Sequence, residues 1–329
     1  AASAHTSSAT ADGSTVSGAA TGVGVAVAVN DDDVTTDAWL DGGGQLTAST
    51  VSVKANNVDS NTDSFVASAT SGAGNADEAN VNVAGALAVN LVNGRRTAAV
   101  GLEPPAVATG ASVNGNLVLA AASEGSDSTV AKADSGPGST LGFGASIALS
   151  LMDESTEAKI VDDATVGSVG DLTLSAIANR TSSNEAKTGA SGGLGFSPSV
   201  AVSLSNMSSR TTPGSGSELA IGGNYDASAA QTARLTTKAD GEATDASTAA
   251  VGVSLALSLV DHRAESTTVR DLDVAGDAGL AATTISSTET SAAASAAGED
   301  DSNSDPGGVD AQVQSQRTEA GGRSGANGG

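Results

Sequence analysis

The chain has 329 residues, no Cys, only 3 Phe, 1 Trp and 1 Tyr, and a formal net charge of −24. An acidic surface without a basic patch excludes nucleic-acid binding by phosphate neutralisation and disfavours anionic membranes, and the lack of Cys excludes a disulfide framework. So few aromatics exclude a thick core, and the Val, Ala, Ile and Leu that remain predict two closely spaced sheets with a thin interior.

Residues 1–22 are rich in Ser, Thr and Ala and resemble 122–140, so they read as the end of a preceding repeat. Residues 23–301 then carry five β-repeats of about 57 residues. The first opens with VGVAVAVN at 23–30, where Val23, Val25, Val27 and Val29 alternate with Gly24, Ala26 and Ala28. Period two means strand. The large face is expected to be buried, and the small face to admit a second layer or to lie flat and bare. The phrase returns at 83–92, 141–152, 194–204 and 251–260; superposing Ala28, Ala88, Ala148, Ala201 and Ala256 gives spacings of 60, 60, 53 and 55 residues.

Each copy is followed by a polar dipeptide that reads as a turn: Asp32-Asp33, Asn93-Gly94, Asp153-Glu154, Asn206-Met207 and Asp261-His262. A polar strand follows, with Ala38, Ala98 and Ala158 in equivalent places. The second half of each repeat has the same grammar, starting from VSVKA (51–55), LVLAA (117–121), LTLSA (172–176), LTTKA (235–239) and LAATT (280–284). Each repeat therefore reads as two strand–turn–strand units of roughly 28 residues, each one turn of a parallel β-solenoid, about ten short coils in all. Val, Ile, Leu and Phe are expected inside; Ser, Thr and Asp outside. The alternative is an antiparallel hairpin meander or long β-sandwich, since Asn93-Gly94 also suits a hairpin. Residues 302–329 read as a Gly-rich tail, linker or assembly segment. The array looks open at its start, which suggests a piece of something longer.

The phrases Gly22 to Asn30, Val83 to Ala99, Gly142 to Ile160, Gly170 to Ala176 and Gly252 to Asp261 resemble the repetitive passenger regions of large bacterial surface proteins. These are the filamentous-haemagglutinin-like and leukotoxin-like adhesins and the autotransporters. The resemblance implies an elongated β-solenoid, export to the cell surface, and an adhesive or structural role. It supplies no catalytic motif.

The residues themselves point to no catalytic, cofactor-binding or metal site. His5 and His262 are the only histidines, and His262 is read in a turn. The acids at Asp31-Asp32-Asp33, Asp162-Asp163 and Glu299-Asp300-Asp301 raise the question of Ca2+. Without a calcium β-roll or EF-hand signature they read as solvated turn acids. A sugar groove needs aromatic platforms, and only Trp39 and Tyr225 are on offer. Gly42 to Gly44 and Gly192-Gly193 lack the Lys of a phosphate loop and read as turns. No run of about 18 apolar residues predicts a membrane span. The expected role is an extracellular fibre, stalk or adhesin segment that continues end to end. A glycan- or host-surface-binding module is the alternative, and a polysaccharide-active β-helix enzyme is the weakest of the three.

Overall fold

The computed structural model describes residues 1–14, 21–41, 45–58, 62–74, 81–101, 110–136, 139–167 and 169–296. The residues are almost entirely strand: β1 (Ala2–Ser3), β2 (Thr6–Ser14), β3 (Thr21–Leu40), β4 (Gln45–Asn57), β5 (Asp63–Ala73), β6 (Val81–Val100), β7 (Gly110–Ser135), β8 (Leu141–Ile160), β9 (Thr165–Val166), β10 (Leu172–Thr212), β11 (Leu219–Ile221), β12 (Tyr225–Ser266), β13 (Leu272–Val274) and β14 (Ala278–Ala296). Every pairing between them is parallel. The fold is a parallel β-solenoid, and the antiparallel alternative is overturned.

The register measures the coil. Val27 pairs with Leu87, Leu87 with Ile147, Ile147 with Val200 and Val200 with Leu255. One step up the stack is thus one whole repeat, and the expected ten short coils become half as many long ones. The polar dipeptides that read as turns do not turn: Asp32-Asp33 lies inside β3, Asn93-Gly94 inside β6 and Asp153-Glu154 inside β8. In register, their outward members form a polar row that solvent accepts without ending the strand.

Each coil has two long sides and one short one. The front sheet is β3, β6, β8 and the later parts of β10 and β12, in register. The back sheet stacks β2 and β5 on the later part of β7, then the early parts of β10 and β12, then β14. The short side is β11 on β13, with β9 paired to the start of β7.

The interior is a wedge. At its thin edge the backbones nearly touch: a Cβ on Gly24 would stand 2.2 Å from the Gly72 carbonyl oxygen, and one on Gly144 2.4 Å from that of Gly189. Next comes a layer made only of alanine, including Ala28, Ala67, Ala88, Ala131, Ala148 and Ala186. Asn90 and Asn184 follow, tying the sheets with Nδ2 bonds to the carbonyls of Phe65 (3.2 Å) and of Val202 (2.7 Å) and Ala148 (3.2 Å). At the wide end, against the short side, the core holds Val53, Leu119, Ile160, Leu172, Leu174, Ile221 and Tyr225. Each large side chain buried there stabilises the fold by roughly 1.5–3 kcal/mol, against about 0.8 kcal/mol for a single methyl. The wide end therefore anchors the coil, and the thin edge contributes mainly backbone ladders.

The expected thin interior is present, but the faces are exchanged. Gly, Ala and Ser point inward, because the sheets approach too closely for anything larger. Val, Ile and Leu of the repeated phrase point outward. In β8 the buried series is Gly142, Gly144, Ser146, Ala148 and Ser150, while Leu141 and Ile147 are exposed.

The corner into the back sheet has its own rule. Asp171 N–H donates to Asn116 Oδ1 (3.0 Å), Asn224 N–H to Asp171 Oδ1 (2.8 Å), and Asp277 N–H to Asn224 Oδ1 (2.9 Å). Each of these Asx side chains caps the backbone one coil on. The residue before each must be Gly: a Cβ on Gly170, Gly223 or Gly276 would lie 2.2–2.3 Å from the Asx oxygen below it.

Candidate interaction face

The outward side chains of the front sheet form rows that run up the stack. One row is Val23, Val83, Phe143, Phe196 and Val251; another is Val27, Leu87, Ile147, Val200 and Leu255; a third is Val29, Val89, Leu149, Val202 and Leu257. All are exposed or half-buried, Val23 reaching 57% and Leu255 55%. Phe143 and Phe196 stack at 5.4 Å between ring centroids, a favourable aromatic spacing. Apolar residues this exposed and this contiguous mark an interaction surface rather than ordinary scatter.

The apolar rows end at a polar margin. Leu91, Leu151, Leu204 and Leu259 share a row with Asp31, and the next row is Asp33, Asn93, Asp153, Asn206 and Asp261. Long leucines beside short amides and acids leave a groove of about 520 Å³ along this boundary. Asn206 Nδ2 donates to Asp153 Oδ1 at 2.9 Å. Beyond it the front face is charged and paired, with Arg95 on Asp37 and Lys159 on Glu157 (2.5 Å). The back sheet's outer face is mixed: Ile177 and Ile285 are exposed on it, but they stand among Ser, Thr and charged side chains rather than in contiguous apolar rows. Lys132–Glu185, Lys187–Glu242 and Lys238–Glu289 link successive coils diagonally at 3.8–3.9 Å, the middle pair slanting the opposite way to the other two. Such exposed pairs each contribute about 0–1 kcal/mol. The molecule therefore has one face suited to water and one half-face suited to a partner.

A sealed charge network lies inside the wedge, between the Asn layer and the wide core. Arg96 pairs with Asp63 and donates from Nη1 to Ser123 Oγ (2.8 Å); Ser123 Oγ in turn meets Glu154. Glu154 accepts Arg180 Nε (2.8 Å) and Nη2 (2.6 Å), and Arg180 lies over the Phe65 ring at 5.6 Å. Asp127 is 3.7 Å from Arg180. Gly125 makes room, since a Cβ there would stand 1.8 Å from Arg180 Nη1. Burial pushes the Asp127 carboxyl up to about 6; Arg180 opposes this, and Glu154 and Asp63 add to it. Burial also works against the Arg180 charge, but Glu154 and Asp127 outweigh it and hold the guanidinium protonated. These groups meet no solvent, so their chemistry is to hold the two sheets in one register. The sequence reading missed them because Arg96, Glu154 and Arg180 fell where turns or polar strands were expected.

The residues singled out in the sequence do not converge. His5 Nε2 meets Asp32 Oδ1 at 3.0 Å at one end of the stack. His262 lies inside β12 rather than in a turn, between Ser205 and Ser286 hydroxyls at 2.8 Å each. Burial lowers its pKa against the pull of Asp261. Trp39 is exposed on the front sheet, whereas Tyr225 is buried in the wide core, where burial pushes its hydroxyl up to about 12. Alternation sends Asp31 and Asp33 outward and Asp32 inward, so the three acids cannot share one cation. Asp162 accepts the Ser215 N–H at 2.6 Å, and that backbone bond holds its pKa below the ordinary value. Among the described residues no three His, Asp or Glu side chains gather as a metal site. Gly192-Gly193 does form the thin-edge corner, with Gly192 at φ +141°. Gly42 to Gly44, Glu299-Asp300-Asp301 and the 302–329 segment lie outside the described residues. No helix among the described residues is long and apolar enough to cross a membrane.

Comparison with protein-family models, curated proteins and solved structures finds no match to this chain.

Proposed function

We propose that the chain is a structural segment of an extracellular fibre, stalk or surface adhesin, stacking end to end with further coils. One observation carries this reading. Leu280 holds the register of Ala227 and Leu174, both fully buried, and yet is 46% exposed. Its inward face has nothing above it among the described residues, and β14 is exposed along its length. An open parallel edge with an unfinished core recruits another strand unless it is capped. The net charge of −24 suits a salty extracellular setting, and the resemblance of the repeats to adhesin passenger regions points the same way.

The test is electron microscopy of the purified chain over a concentration series, beside Leu280→Asp. The reading expects linear stacks whose length grows with concentration and which shorten in the variant. Stacks unaffected by Leu280→Asp, or no stacks at any concentration, would overturn it.

A further inference from the structure

We propose that the apolar half of the front sheet docks a second copy of this chain, sheet against sheet, about a two-fold axis near Ile147. This is a lateral contact, separate from the end-to-end stacking above. Size is the first argument. Five strands at about 4.8 Å, each presenting the rows from position 21 to position 31 over about 34 Å, offer a flat face of about 800 Å². The largest apolar patch on a monomer is typically about 300–600 Å². A stable interface buries about 800 Å² on each partner. The face is that of a dimer, and its flatness suits the roughly 10 Å stacking of two sheets.

Charge selects the occupant and the orientation. From the Thr21 row to the Val29 row no outward side chain is charged. Residues 297–329 hold only two aliphatic side chains larger than Ala, Val309 and Val313, too few for that segment to cover the face. The acidic row of Asp33, Asp153 and Asp261 borders one margin only. Copies with antiparallel strands place their acidic rows at opposite margins, well beyond the roughly 8 Å screening length. Parallel copies would superpose them. Ile147 is on the middle strand, in the middle of these rows, so an isologous contact brings it onto its own copy.

Sedimentation velocity from about 1 to 100 µM tests this, with the intact chain, Ile147→Asp and Leu280→Asp. The expected result is a pair that survives Leu280→Asp and is weakened about 100-fold by Ile147→Asp, which sets Asp against Asp. A chain monomeric throughout, or association equal in Ile147→Asp and the unchanged chain, would overturn it. So would a monomer that instead binds neutral phosphatidylcholine vesicles. A second readout covers the case in which Ile147→Asp fails to fold. The chain has no Cys, so Ile147→Cys should be joined to its own copy by a short bis-maleimide that spans sheets about 10 Å apart, and Thr181→Cys on the back sheet should not. Equal cross-linking of the two would overturn the contact.

Discussion

Val27 is 53% exposed while Ala28, the next residue, is 3% exposed. The larger side chain faces out and the smaller one faces in, the reverse of an ordinary half-buried strand. The cause is the back sheet, whose Ala67 and Ala69 share one buried layer with Ala28. Only methyl groups fit between the sheets here. The valines are left outside, and the interaction face follows from that.

The coil length has a direct chemical test. Leu87 and Ile147 are register partners on adjacent front strands, both pointing outward. Neighbouring strands lie about 4.8 Å apart, within disulfide reach. Leu87→Cys with Ile147→Cys should oxidise to an intrachain disulfide, read as a faster band on a non-reducing gel. Two coils per repeat would separate them by about 9.6 Å, beyond the roughly 7 Å limit, and no bond would form.

The corner ladder predicts non-additivity. Asp171→Ala strips the Asn224 N–H of its acceptor, a loss of about 1–3 kcal/mol. Gly223→Ala places a methyl 2.2 Å from the Asp171 Oδ1 position and is expected to cost at least as much. With the carboxylate gone, the severe clash is relieved and the nearest remaining atom is the Gly170 carbonyl oxygen at 3.2 Å. The double variant should therefore fall short of the sum by about 1 kcal/mol or more in urea unfolding.

The buried network predicts a pH dependence. Between the ordinary Asp value of 3.8 and about 6, folded Asp127 keeps a proton that the unfolded chain has released. Its contribution to stability is present below that window and lost as pH rises through it, by up to about 3 kcal/mol. Asp127→Asn should remove that slope. An equally steep fall in the variant would place the dependence elsewhere. Breaking the pairing of Arg180 by Glu154→Ala should cost about 3–5 kcal/mol, because a buried guanidinium loses its main partner.

Much of this was legible in the residues. The spacing of Ala28, Ala88, Ala148, Ala201 and Ala256 is the stacking register itself, because identical strands stack best on identical strands. The thin interior followed from the shortage of aromatics. The direction of the faces was not legible. Alternation shows that Val27 and Ala28 oppose each other, but which side is buried depends on the sheet behind, and that sheet is equally rich in Ala. Coil length was misread for a related reason. Asn93-Gly94 has turn chemistry, yet Gly94 is buried in mid-strand, facing Glu154 at a distance that a Cβ would also tolerate, 3.5 Å. The Asx corner had a signal in Gly115-Asn116, Gly170-Asp171, Gly223-Asn224 and Gly276-Asp277, at spacings of 55, 53 and 53 residues.

The exchange of faces is tested most directly by urea unfolding of Ile147→Ser and Ala148→Leu in dilute, monomeric chain. With Ile147 outside and Ala148 between the sheets, Ile147→Ser should stay within about 0.5 kcal/mol of the unchanged chain. Ala148→Leu should lose at least about 1–3 kcal/mol to overpacking. A loss of about 2–5 kcal/mol for Ile147→Ser, with Ala148→Leu near neutral, would put the large face inside and contradict the wedge.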